Sequence, residues 1–138
     1  MTVLVDTSVW VDHFRRPNAV LAELMVLDEV LTHPLVVGEL ACGTPPEPRL
    51  RTLGDMALLL PADQAAPGEV RDFIEREALF GLGCGLIDLT LLASTLVTSS
   101  AQLWTLDKRL ASLATRFGVC FAPRTLSAEG TAARLADS

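Results

Sequence analysis

Cysteine is scarce and unpaired in this chain. Cys42, Cys84 and Cys120 form no CxxC pair and leave one without a mate, so neither a disulfide framework nor a cysteine zinc site is supported. They read instead as small core residues. Histidine is scarcer still: His13 and His33 show no ligand spacing and read as surface or helix-end residues rather than catalysts, and no Ser-His-Asp set is visible. No apolar run approaches the length of a membrane span. The N-terminus also lacks the charged start, long apolar stretch and small-residue cleavage site of a signal peptide. The expectation is a cytoplasmic protein with no membrane association. Lysine is almost missing, with Lys108 the only one among the eleven basic residues. A formal net charge of -6 excludes a broad basic surface that would grip nucleic acid by phosphate neutralisation alone. It leaves nucleic acid open as a substrate, because a bound cation reverses the local sign of an acidic site.

What is present suits one domain: 138 residues, half of them hydrophobic. Val3-Leu4-Val5 is an apolar, mostly β-branched strand that runs into Asp6, and Thr7 or Ser8 is expected to cap a helix through Phe14. Apolar spacing predicts a helix over Ala19 to Asp28, a strand at Val30-Leu31-Thr32, and a helix from Leu35 to Cys42 led in by Pro34. Pro48 to Leu60 reads as helical, with Leu58-Leu59-Leu60 either its end or a small strand. Glu69 to Leu79 is a well patterned amphipathic helix, and Leu86 to Ser99 is apolar enough to be central. Gln102 to Leu106 is expected as a strand, Lys108 to Phe117 as a helix, and Val119-Cys120-Phe121 as a last short strand. Residues 1–122 make the domain. Residues 123–138, Ala, Thr and charge without clear period, form a C-terminal tail with the composition of a mobile segment. Gly81, Gly83 and Gly85 alternate before the central helix, but no strand precedes them and no Gly-Lys-Ser follows, so they are not a nucleotide loop.

Four acids stand out. Asp6 and Asp107 each end a strand and precede a helix, while Glu39 and Asp88 lie in helices of otherwise apolar character. Each has an ordinary explanation: Asp6 as a helix cap, Asp88 as a first-turn acid favoured by the helix dipole. Strands alternating with helices imply a mostly parallel sheet, however, whose carboxyl edge collects ligands. Should the four converge, two carboxylates about 4 Å apart repel by ~4 kcal/mol, so the pocket needs cations or raised pKa values. Oxygen-only ligands select magnesium or manganese, and the reaction such ions serve best is phosphodiester hydrolysis.

Leu4-Val5-Asp6-Thr7-Ser8, Val37-Gly38-Glu39-Leu40, Leu86-Ile87-Asp88-Leu89 and Thr105-Leu106-Asp107, in that order, resemble the PIN-domain nucleases, and among them the VapC-type toxins. The likeness runs from Val3 to about Phe121. It implies a PIN-like three-layer α/β/α sandwich around a mostly parallel sheet. It implies an endoribonuclease dependent on Mg2+ or Mn2+, an inhibiting VapB-type antitoxin that covers the acidic pocket, and a homodimer. Family roles fall on Asp6, Glu39, Asp88 and Asp107 as the metal site, with Thr7, Ser8 and Thr105 as hydroxyl support. Trp10 and Trp104 flank the site strands, where core packing outweighs stacking on RNA bases. Arg15, Arg16, Lys108 and Arg109 follow the strand-ending acids and could meet the RNA backbone or simply be solvated helix termini. An Asp-nucleophile phosphatase would place a second Asp where Ser8 stands. The alternatives left are a PIN-fold binding or scaffold module without turnover and a housekeeping PIN ribonuclease outside a toxin module.

Overall fold

The computed structural model describes residues 1–123, so the tail assigned to 123–138 lies outside the described residues apart from Pro123. Chain order is β1 (Thr2–Val5), α1 (Thr7–Arg15), α2 (Ala19–Val26), β2 (Val30–Thr32), α3 (Pro34–Cys42), α4 (Arg49–Ala57), β3 (Leu60–Pro61), α5 (Pro67–Glu77), α6 (Leu86–Val97), β4 (Ala101–Trp104) and α7 (Lys108–Arg116). The four strands form one wholly parallel sheet in the order β3-β2-β1-β4, flanked by seven helices among the described residues, the expected α/β/α sandwich.

Val3, Leu4 and Val5 are all buried, as a strand covered on both faces must be, which is why β1 is an unbroken apolar run rather than an alternation. Its register sets Val3 against Val30 on one side and Val5 against Trp104 on the other. The chain leaves β1 toward β2 and later returns to β4 on the opposite side. The strand order therefore reverses between β1 and β4, and the crevice beyond their carboxyl ends is where such sheets bind ligands. In α6 seven consecutive residues, Leu89 to Thr95, are buried, so this helix is central, as its composition predicts. Trp10 and Trp104 are also core residues and are out of reach of RNA.

Several local expectations are corrected. Asp6 itself is the N-cap of α1, its carboxylate accepting from the Thr7 amide, and the two hydroxyls are engaged elsewhere. Leu58 to Leu60 resolves as a helix stop and the edge strand β3. Thr105 and Leu106 leave the β4 ladder because side-chain hydroxyls take the amides of Leu106 and Asp107. Val119 to Phe121 reduces to a single parallel bridge, Leu103 to Cys120. Of the cysteines expected in the core, Cys42 is exposed, while Cys84 and Cys120 are half-buried and packed against it.

His33 is at a helix end but not at the surface. It caps α3, with Nδ1 accepting the Leu35 amide at 3.0 Å, which makes the ring neutral and Nε2 the protonated nitrogen. That Nε2 lies 3.2 Å from Ser94 Oγ, which also accepts the Ala65 amide, so one buried imidazole ties the end of β2 to α6 and to the approach to α5. Burial lowers the pKa of His33 from its ordinary 6.5; burial also lowers that of His13, against the opposing pull of Asp12. The unfolded chain therefore binds these protons first. Their contribution to stability is complete above pH 6.5 and is lost as pH falls below it. Urea midpoints should drop between pH 7.5 and about 5. His33→Asn, which keeps the cap but not the ionisation, should cost about 1 kcal/mol at pH 7.5 and flatten the pH dependence to the part owed to His13. An unchanged slope in that variant would assign the acid sensitivity to other groups.

Candidate active site

Asp6 sits one residue past β1 and is 5% exposed. Its Oδ1 accepts the Thr7 amide at 2.8 Å, and its Oδ2 accepts two hydroxyls, Ser8 Oγ and Thr105 Oγ1, each at 2.7 Å. Each hydroxyl has a second partner. Ser8 Oγ accepts the Leu106 amide and Thr105 Oγ1 the Asp107 amide, both at 3.0 Å. One buried carboxylate therefore orients two hydroxyls, and those hydroxyls fix the turn that carries Asp107. Asp107 is exposed and caps α7, its Oδ1 accepting from Arg109 and Leu110.

Glu39, half-buried on α3, joins from the other side: Thr7 Oγ1 donates to its Oε1 at 2.8 Å. Asp88, in the first turn of α6, accepts the Gly85 amide through Oδ2 at 3.3 Å. Its pKa is raised, first by burial and then by the charges of Asp6 and Asp107, with the Gly85 bond opposing. Asp88 thus shares an electrostatic environment with both strand-ending acids. Among the described residues, Glu39 Oε2, Asp88 Oδ1 and Asp107 Oδ2 have no protein donor. Three acids each hold one oxygen to the scaffold and leave the other open.

The four are not drawn into a closed ligand set. Among the described residues no three His, Cys, Asp or Glu side chains stand close enough to hold one metal ion. Hydrogen bonding links Asp6 to the Asp107 turn and, through neighbouring Thr7, to Glu39; Asp88 is linked by charge. The donor set nevertheless suits a hard divalent cation, because it is all oxygen, anionic and partly unused. The hydroxyl of Thr7 donates to Glu39, and those of Ser8 and Thr105 donate to Asp6.

A cleft of about 540 Å³ starts at Glu39 and runs away from the other acids between α1 and the end of α3, lined by Phe14, Arg15, Leu40 and Pro45 among others. The nearness of Cys84 to the acids and the seat of Arg109 escape a reading of the sequence. Cys84 lies near the acids: burial raises its thiol pKa, followed by the charges of Asp88 and Asp107, with Arg109 opposing. Arg109 itself packs against Gly83, 26 residues away along the chain. The alternating glycines were the available signal.

The PIN domain family profile matches residues 3–115. Ribonuclease VapC32 of Mycobacterium tuberculosis, in strain CDC 1551 / Oshkosh and in strain ATCC 25618 / H37Rv, is 41% identical over 120 residues, covering 87% of this chain and 96% of each relative.

The network around Asp6 makes a stability prediction independent of any activity. Thr105→Val keeps the shape but removes a donor from a buried carboxylate and orphans the Asp107 amide, which should cost about 1–3 kcal/mol. Ser8→Ala, at a half-buried position, should cost less. Urea denaturation of both variants checks the order; a smaller loss for Thr105→Val would contradict the network.

Proposed function

This chain belongs to the PIN-domain family, in the company of the VapC ribonucleases, and on that premise we propose that it is the toxic component of a type II toxin–antitoxin module, a divalent-metal-dependent endoribonuclease that hydrolyses RNA phosphodiester bonds. The observation that carries the reading is the Asp6 network, which fixes the carboxyl ends of two adjacent parallel strands and presents Asp107 beside Asp88, with Glu39 attached through Thr7.

Asp6, Glu39, Asp88 and Asp107 would hold Mg2+ or Mn2+. Such an ion would supply Lewis acidity to the scissile phosphate and ease the deprotonation of water to the hydroxide nucleophile near neutral pH. The chain's own contribution is placement. Asp6 enters with its donors already satisfied, so its carboxylate does not reorganise when substrate arrives. Among the described residues Glu39, Asp88 and Asp107 each keep one oxygen without a protein donor, and a cation held by them would relieve the repulsion that raises the Asp88 pKa. The cleft beside Glu39 supplies an apolar wall and one guanidinium, Arg15, for the flanking strand of RNA.

In the same reading a VapB-type antitoxin silences the protein by covering this crevice, and the free toxin is a cytoplasmic homodimer. Among the described residues no helix is long and apolar enough to cross a membrane.

Purified protein should cut total bacterial RNA in Mg2+ or Mn2+, stop in EDTA, and lose at least about a hundredfold in rate as Asp6→Asn. Cleavage that survives EDTA or Asp6→Asn would remove the metal mechanism, and RNA binding without cleavage would leave a scaffold module. Thermal melts give a second readout. In EDTA, Asp88→Asn should melt no lower than wild type, because the amide keeps the Gly85 bond and drops the repulsion. In saturating Mn2+ the wild type should gain stability, about 2.7 kcal/mol at a hundred times its Kd, and overtake the variant.

A further inference from the structure

The Phe80-to-Gly85 segment and the start of α7 hold an arrangement that the acids do not account for. Gly83 has φ +89°, and a Cβ there would stand 2.6 Å from Arg109 Nη1 and 2.8 Å from its Cδ. The Arg109 guanidinium therefore lies against the Gly83 backbone, where a Cβ would displace it, with Nη1 3.5 Å from the Gly83 carbonyl. The Arg109 amide donates to Asp107 Oδ1 at 2.9 Å, so the cation stands beside the acidic crevice. Among the described residues it makes no ion pair with a carboxylate, and its remaining donors face solvent.

The position is also unfavourable for the helix. Lys108 and Arg109 are the first two residues of α7, at the positive end of its dipole, where a cation costs stability and an acid would add it. The Asp107 cap offsets part of that cost, and a cation kept at this end is the kind of local conflict found at functional sites. Lys108 shows no comparable seat; Arg109 has a backbone shaped around it.

We propose that Arg109 is a phosphate-binding residue of the site: seated on Gly83, its guanidinium takes the RNA phosphate next to the one being cleaved. A planar fork with free donors beside an anionic crevice supplies what the crevice lacks, a fixed cation to hold the substrate backbone while the acids face the scissile group. This rests on the ribonuclease reading, and its test separates the two.

The test measures the cleavage rate of total bacterial RNA in Mn2+, at subsaturating RNA, over a series of KCl concentrations for wild type, Arg109→Gln, Arg109→Lys and Gly83→Ala. A phosphate contact contributes to the salt dependence, so Arg109→Gln should cut the rate about tenfold and reduce the slope of log rate against log salt by about 0.7. Arg109→Lys should restore the slope but only part of the rate, since it keeps the charge and loses the fork. Gly83→Ala should lower the rate while keeping a positive charge on the chain; because its φ is strained for any side chain, its melting temperature is measured alongside. The Mn2+-induced gain in melting temperature should stay at the wild-type value in Arg109→Gln, which separates substrate binding from damage to the acids. A wild-type slope in Arg109→Gln overturns the assignment. No cleavage by the wild type overturns the ribonuclease reading instead.

Discussion

Two hydroxyls donating to one buried carboxylate oxygen set the geometry of this protein's acidic crevice. Asp6 ends the central strand, and its Oδ2 receives Ser8 from its own helix and Thr105 from beyond the neighbouring strand. Because both hydroxyls then accept amides of the turn before α7, the carboxylate governs where β4 stops and where Asp107 points. A buried anion would be a liability anywhere else in a core this apolar. Here it is compensated by donors whose remaining valence is used for the same purpose, so structure and site share one set of atoms.

The opposing constraint is repulsion. Asp88 is held at the start of α6 within the field of Asp6 and Asp107, and its pKa rises in consequence. The dipole of α6 and the Gly85 amide relieve part of this. The rest persists as an energetic preference for something positive in the crevice, which the scaffold answers with open carboxylate oxygens and, at the rim, with Arg109. Bulk charge and site charge are thus separate matters: an acidic protein can serve an anionic substrate because the sign that matters is decided within a few ångströms of the reacting groups.

Much of this was legible in the residue order. The apolar run of Val3 to Val5, the unbroken greasiness of α6 and the strand-Asp-helix repeat at Asp6 and Asp107 follow from periodicity, and the ordered acid motifs pointed to the family that sequence comparison then showed. What could not be read is where two residue types compete for one job. Asp, Ser and Thr are all good caps, so sequence alone did not reveal that Asp6 would cap α1 and free both hydroxyls to cross between strands. His33 looked like a surface residue because histidine usually is; only the fold supplies Ser94 and the Leu35 amide that make its burial tolerable. The place of Cys84 and the seat of Arg109, which the sequence offered only as one of four basic residues after the strand-ending acids, were hidden for a third reason. Their importance lies in neighbours brought from 26 residues away by the packing of α7 against the glycine segment, and no local pattern encodes that distance.

The bond between Thr105 and Asp6 joins residues 99 positions apart, and this gives the protein a direction in time. A chain made from its N-terminus has Asp6 99 residues before Thr105, and so lacks the strand that flanks β1 on its far side through all of that interval. At about 5–20 residues per second, that is an interval of seconds in which the first carboxylate exists without the partners that aim it. The crevice is the last part of the sheet to close, so in a growing chain the acids converge only after β4 and the turn that carries Asp107 have been made.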